Sequence, residues 1–243
     1  MQSASRVRLL GIPLDPVTSG EATTRLREML STPGQWHVMT PNSEMLVEAS
    51  KNERFRALLN RTALNLPDSI GLLWAARLTG QHLPERVTGV DAVTGLCAEL
   101  SADHRVFLLG ARPGVAEAAA NALQRRNPHL RIVGTYAGSP HAEDATEILQ
   151  KIALAEPHLL LVAYGAPAQD LWIDRYMRDL PCVRVAIGVG GTFDFLAGER
   201  KRAPKLMQEC GLEWLWRLVQ EPSRWKRIWT AVIVFPWLCL RKK

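Results

Sequence analysis

The sequence predicts an α/β protein: a mostly parallel sheet covered by helices on both faces, followed by a helical, basic C-terminal appendage. Three observations carry this. Short, nearly unbroken apolar runs such as Val106-Phe107-Leu108-Leu109 alternate with helix-length stretches, as expected for strands buried on both faces. The segments after these runs open with Gly, Asn, Asp or Thr, the residues that turn a strand into a helix. Charge is also segregated. Residues 200–243 hold eleven Lys/Arg and three acids, a balance of +8 within a total of +6, so residues 1–199 carry −2. The expected division is a Rossmann-like domain over 1–199 and an appendage over 200–243.

Taken in order, Val7-Arg8-Leu9-Leu10-Gly11-Ile12 reads as one edge strand, followed by a helix over 19–30. A strand at 36–39 leads into a helix over 43–59. The next strand, 62–66, ends just before Asp68, and a helix covers 70–78. Residues 86–91 form a loop in which Asp91 caps a helix running to 100. The second half alternates more cleanly, with strands at 106–110, 131–136, 158–163 and 183–187, and helices after Gly114, over 142–154 and after Pro167. In the tail, Leu212, Leu215, Trp216 and Val219 fall on one helical face, and Pro222 starts a further helix. The run 228–240 has thirteen residues, against the roughly 20 that span a bilayer, so it lies in an interface or packs on the body.

Composition narrows the function. Four well-separated cysteines with no C-x-x-C argue against a zinc site or disulfide framework and fit a reducing cytoplasm, and no signal peptide is expected. Five of the eight Trp lie in the basic tail, a pairing that suits an anionic membrane surface and, less well, single-stranded nucleic acid. With the acidic balance of the body, no nucleic-acid partner is expected.

In open α/β sheets, ligands bind beyond the carboxyl ends of the strands. Thr40-Pro41-Asn42 and Leu66-Pro67-Asp68 stand at two such ends, which makes Asp68 the candidate general base with Thr40 and Asn42 beside it. Asn42 and Asp68 are equally good helix N-caps, and that reading stays open. Gly110-Ala111-Arg112-Pro113-Gly114, Gly165-Ala166-Pro167 and Gly188-Val189-Gly190-Gly191 could let a backbone approach a phosphate, but none matches a dinucleotide fingerprint or a P-loop. The chain has no Asp-x-Asp and no His-x-x-x-His, so no metal site and no cofactor are expected. A diphosphate would then rely on arginines, with Arg86, Arg217, Arg224 and Arg227 as candidates. The last three share a helix face if Pro222 only kinks the helix.

Several stretches together resemble the WecG/TagA/CpsF family (glycosyltransferase family 26). They are Thr40-Pro41-Asn42-Ser43-Glu44, Leu66-Pro67-Asp68-Ser69-Ile70-Gly71, Arg86-Val87-Thr88-Gly89-Val90-Asp91, Gly165-Ala166-Pro167-Ala168-Gln169-Asp170, the long run from Gly188 to Gly198, Lys201-Arg202-Ala203-Pro204 and Gly211-Leu212-Glu213-Trp214-Leu215. The resemblance implies metal-independent transfer of a sugar from a UDP-sugar with inversion; N-acetylmannosamine is favoured, with its uronic acid and glucose left open. The acceptor is a polyprenyl-diphosphate-linked sugar on the cytoplasmic leaflet, used for cell-surface polysaccharide or teichoic acid. It implies Asp68 as general base, Gln169 as a site residue, uridine contacts at Tyr136 and Asp194, and a membrane-binding tail that brings Arg217, Arg224 and Arg227 to the diphosphate; Gly188 and Gly190 are counted as substrate-binding candidates on the loop reading above. The family motif reads Gly-x-Pro-Lys-Gln-Glu; here Ala168 and Asp170 replace the Lys and Glu. The competing expectation is a membrane-associated nucleotide-binding protein without transferase activity, in which Asp68 only caps a helix. The oligomeric state is open, with a homo-oligomer among the expected partners.

Overall fold

A computed structural model describes residues 5–241; Lys242 and Lys243, part of the basic tail, lie outside them. Strand β1 (Val7–Leu9) pairs antiparallel with β2 (Ile12–Leu14) in a separate hairpin. This corrects the expected single edge strand. The run reverses at Leu10 and Gly11, both left-handed at φ 51° and 79°, as a two-residue hairpin turn requires. The hairpin is tied to the sheet beyond its edge, where the Asn65 amide donates to Asp15 Oδ2 at 2.7 Å and Asn65 Nδ2 donates to the Pro13 carbonyl at 2.9 Å.

Helix α1 (Ser19–Ser31) precedes β3 (Trp36–Met39). The expected helix over 43–59 is two helices, α2 (Ser43–Ala49) and α3 (Glu53–Arg61), because Asn52 accepts from the Phe55 amide and caps a new start. Strand β4 is only Leu64–Asn65, followed by α4 (Ile70–Leu78) and α5 (Gly89–Glu99). Thr88, not Asp91, caps α5: its hydroxyl accepts from the Asp91 amide and donates to the Asp91 carboxylate at 2.6 Å. The remaining units are β5 (Arg105–Gly110), α6 (Val115–Arg126), β6 (Arg131–Tyr136), α7 (Ala145–Ala155), β7 (Leu159–Ala163), α8 (Ala168–Tyr176), β8 (Val185–Gly188) and α9 (Thr192–Leu196).

The main sheet has the order β4-β3-β8-β7-β5-β6, and every neighbouring pair is parallel. Alternate residues of one strand serve opposite cores. Leu159 and Leu161 join the layer with α1, α5 and α6, while Leu160 and Val162 join the layer with α7 and α8. Helices thus cover both faces, as the sequence predicts.

The tail begins with α10 (Lys205–Glu209) and α11 (Glu213–Gln220). Pro222 ends α11 and opens a 3₁₀ turn leading to α12 (Trp225–Trp229), a π turn (Thr230–Val234) and α13 (Phe235–Arg241). The π turn sits just before Pro236, which has no N–H for a regular helical bond. Phe235 and Cys239 are buried in the cluster that holds Leu46 and Leu72, so one side of 225–241 packs on the body. Trp225, Trp229, Ile233, Trp237 and Leu240 on the opposite side are exposed, each by about half. No helix among the described residues is long and apolar enough to cross a membrane.

Removing the Phe235 anchor should loosen the helix without melting the sheet. Phe235→Ala is expected to make trypsin cleave at Lys226 and Arg227 several-fold faster, with the sheet domain's thermal transition retained. Unchanged digestion would show that the helix does not depend on this contact.

Candidate functional site

The carboxyl ends of β3, β4, β7 and β8 surround a cavity of about 300 Å³, closed on the far side by the tail. Thr40, at the end of β3, donates to the Gly188 carbonyl at 3.2 Å and joins two strand ends. Asn42 caps α2 by accepting from the Met45 amide at 3.0 Å and also lines the cavity. For Asn42, cap and cavity residue are both true.

Asp68 does not cap α4. Ser69 occupies that position and makes no side-chain cap bond. The Asp68 carboxylate instead faces the cavity and accepts from the Gly89 amide at 3.3 Å. Asp68 is only partly buried, because it borders the open cavity. The protein mass around it still raises its carboxyl to about 7, against the opposing pull of Arg217 and Arg86.

Gln169 holds two loops at once. Its Oε1 accepts from the Gly165 amide at 3.0 Å and the Gly190 amide at 2.9 Å, fixing the ends of β7 and β8. Gly190 lines the cavity, but its N–H is occupied by this bond. Gly188 acts from behind: a Cβ there would collide with Asp170 Oδ1 and lie 2.7 Å from Gln169 Nε2. Asp170 is fully buried, which raises its pKa, and its carboxylate lies 3.7 Å from His37 Nε2.

The arginines converge. Arg200, Arg202, Arg217, Arg224 and Arg227 all line the cavity. Arg217, Arg224 and Arg227 do so although Pro222 ends α11, so the shared face comes from the fold of the tail and not from one helix. Each rests on a carboxylate: Arg200 on Glu221 at 3.0 Å, Arg202 on Asp91 at 2.7 Å, Arg217 on Glu213 at 3.2 Å, Arg224 on Glu221 at 3.4 Å and Arg227 on Glu44 at 2.7 Å. Burial, followed by the nearby charge of Arg227, lowers the pKa of Arg224. The buried Nε of Arg217 has no partner among the described residues.

Asp194 lines the cavity and pairs with Arg200 at 3.6 Å. Arg86 lies outside this cavity, bound to Glu213 at 2.8 Å, and lines an adjoining one of about 130 Å³. Asp68, Asn42, Glu213, Arg217, Arg224 and Arg227 are common to both, and Ile70, Trp214, Ile228 and Ala231 give the second an apolar side. Tyr136 is not brought to either cavity; it ends the edge strand β6, with Lys151 Nζ 4.7 Å from its ring centroid. Tyr164, after β7, lines the larger cavity instead. Of the three glycine loops, the one at 110–114 stays outside. Sequence reading missed Arg200, Arg202 and Glu213 as individuals, although Arg202 and Glu213 lie within the motif stretches of the tail. Among the described residues, no three His, Cys, Asp or Glu side chains gather as a metal centre requires.

The family model described as "Glycosyl transferase WecG/TagA/CpsF family" matches residues 7–243. An N-acetylglucosaminyldiphosphoundecaprenol N-acetyl-beta-D-mannosaminyltransferase of Bacillus spizizenii is 35% identical over 192 residues, covering 79% of this chain and 74% of that protein. Its namesake in Bacillus subtilis is 34% identical over the same share of each chain. The one in Staphylococcus aureus strain MW2 is 28% identical over 229 residues, covering 93% and 88%.

The raised Asp68 pKa sets a sign for stability. The folded state binds this proton more tightly than the unfolded chain, so stability is full at low pH and falls as pH rises from about 4 to about 7. Asp68→Asn should therefore gain thermal stability relative to the parent as pH rises to 8. A difference independent of pH would contradict the raised value. Gly188→Ala should lower stability by about 1–3 kcal/mol in urea melts, because the added methyl strikes buried Asp170; a neutral result would show that the Asp170 side chain moves freely.

Proposed function

The chain belongs to the WecG/TagA/CpsF glycosyltransferase family, and from that premise we propose that it moves N-acetylmannosamine, or a close relative, from a UDP-sugar to a polyprenyl-diphosphate-linked acceptor. The transfer is inverting and metal-independent, and it serves cell-surface polysaccharide or teichoic acid assembly at the cytoplasmic face of the membrane. The names of the three relatives support the sugar and the acceptor. The observation that carries the reading is the position of Asp68 where two cavities meet, among arginines common to both.

The larger cavity takes the UDP-sugar, and the adjoining one, with its apolar side, takes the lipid-linked acceptor. The Asp68 carboxylate removes the proton of an acceptor hydroxyl as that oxygen attacks the anomeric carbon. The bond from that carbon to the UDP oxygen breaks on the opposite face, and UDP leaves with the bonding pair. Charge developing on the diphosphate is met by Arg217, Arg224 and Arg227 as they exchange their carboxylate partners for phosphate oxygens. A base with a pKa near 7 suits this step, since it is both ionised at working pH and a strong acceptor of the proton.

The appendage over 200–243 holds the enzyme on the membrane. Its exposed Trp225, Trp229 and Trp237 suit the headgroup region, and its basic residues suit anionic lipid. A surface-bound enzyme with a lipid-facing cavity meets its acceptor without extracting it.

The decisive assay offers polyprenyl-diphosphate-linked N-acetylglucosamine and a panel of UDP-sugars in EDTA and follows UDP release and product mass. Turnover with the N-acetylmannosamine donor is expected; a requirement for added metal would refute the mechanism. Asp68→Asn should reduce kcat by about 10²–10⁴ while UDP binding persists, and kcat/KM of the parent should rise with pH to a plateau above about 7. Near-parental turnover of Asp68→Asn would remove Asp68 from the chemistry. A chain ending before Arg217 should lose vesicle binding and activity on the lipid acceptor, and retention of both would refute the role of the tail.

A further inference from the structure

Glu213 is the first residue of α11 and only 8% exposed, yet it is a carboxylate beside another carboxylate. Asp68 and Glu213 line the same two cavities. Like charges in one site are disfavoured unless cations divide between them. Here the division is one-sided. Glu213 Oε2 accepts from Arg86 Nη1 at 2.8 Å and Oε1 accepts from Arg217 Nη2 at 3.2 Å. Asp68 makes no ion pair among the described residues, and the Gly89 amide at 3.3 Å is its only hydrogen-bond donor there.

The charged groups facing Asp68 come from several elements. Arg86 stands in the loop before α5, Arg202 in the segment before α10, and Glu213 and Arg217 on α11. Arg224, Arg227 and Glu44 of α2 line the wall of the adjoining cavity. Of the cations, Arg202 is held by Asp91, Arg224 by Glu221 and Arg227 by Glu44, so Arg86 and Arg217 are the two that Glu213 controls.

We propose that Glu213 is a positioning residue for Asp68: by holding the guanidiniums of Arg86 and Arg217 on itself, it keeps them off the Asp68 carboxylate and leaves that carboxylate a competent proton acceptor. The inference rests on the reading of Asp68 as the base. A carboxylate paired directly with arginine is a weak base; one that borders arginines already satisfied elsewhere is a stronger one. Because Glu213 arrives with the tail, a docked α11 both supplies a cation to the site and screens the base from it.

The test is a direct titration of Asp68 by carbon NMR in the full-length protein, with isotope-labelled aspartate carboxyls and the resonance assigned by its loss in Asp68→Asn. The parent midpoint is expected near 7. In Glu213→Gln it should fall by about 1, as both arginines turn to Asp68, and in Arg86→Gln it should rise. The acidic limb of the kcat/KM profile should move with it. An unchanged or higher midpoint in Glu213→Gln, or a lower one in Arg86→Gln, overturns the proposal. If Glu213 only latched the tail, Glu213→Gln would lower thermal stability and lipid-dependent activity and leave the midpoint alone, which also overturns it. The NMR readout needs no turnover. A midpoint that shifts without the rate profile following would therefore count against Asp68 as the base, separately from the link between Glu213 and Asp68.

Discussion

One carboxamide oxygen joins the ends of the two central strands. Gln169 Oε1 accepts the amides of Gly165 and Gly190, and Thr40 adds the neighbouring strand end through the Gly188 carbonyl. These bonds lie where the sheet stops and no ladder partner remains, so the loop amides would otherwise need water or a ligand. The shape of the cavity floor depends on them. Behind them Gly188 admits the side chains of Gln169 and Asp170 against its backbone, which is why a strand that reads as apolar ends in a residue with no side chain.

The rest of the site is a question of charge. Arginines from the tail meet acids from both the body and the tail, and each cation has a carboxylate partner. Such pairs are individually weak where solvent reaches them, and they exchange readily for a better anion. A doubly charged phosphate group that bridges several guanidiniums is a better anion. Asp68 stays outside these pairs, held by a backbone amide, and burial keeps its proton affinity high.

Much of this was legible in the sequence because it follows from period and position. The apolar runs at 106–110 and 158–163, bounded by turn residues, read as buried strands, and Asp68 stood where strand ends gather. The two readings of Asn42 and Asp68 could not be separated by residue type, since Asn and Asp cap equally well. For Asp68 they separate in three dimensions, where Ser69 takes the cap position and Asp68 turns to Gly89, while Asn42 fills both roles. The hairpin was hidden because Leu10 in a left-handed conformation is no turn signal, and Gly11 alone is weak. Glu213 was hidden for another reason: its partners, Arg86 and Arg217, lie 127 and four residues away, and nothing local marks a carboxylate that will be shared. Tyr136, named only through the family likeness, ends the outer strand β6 away from both cavities.

The π turn at Thr230–Val234 has a geometric effect along the whole last helix. An α-helix completes a turn in 3.6 residues, so side chains spaced four apart drift steadily round its axis. Trp225, Trp229, Ile233 and Trp237 are spaced in this way, and in a regular helix the row would spiral out of line. The wider turn between Trp229 and Phe235 winds the other way relative to that spacing and takes up the drift. The exposed row is thereby drawn closer to one line along a segment of 17 residues, roughly 25 Å at the helical rise.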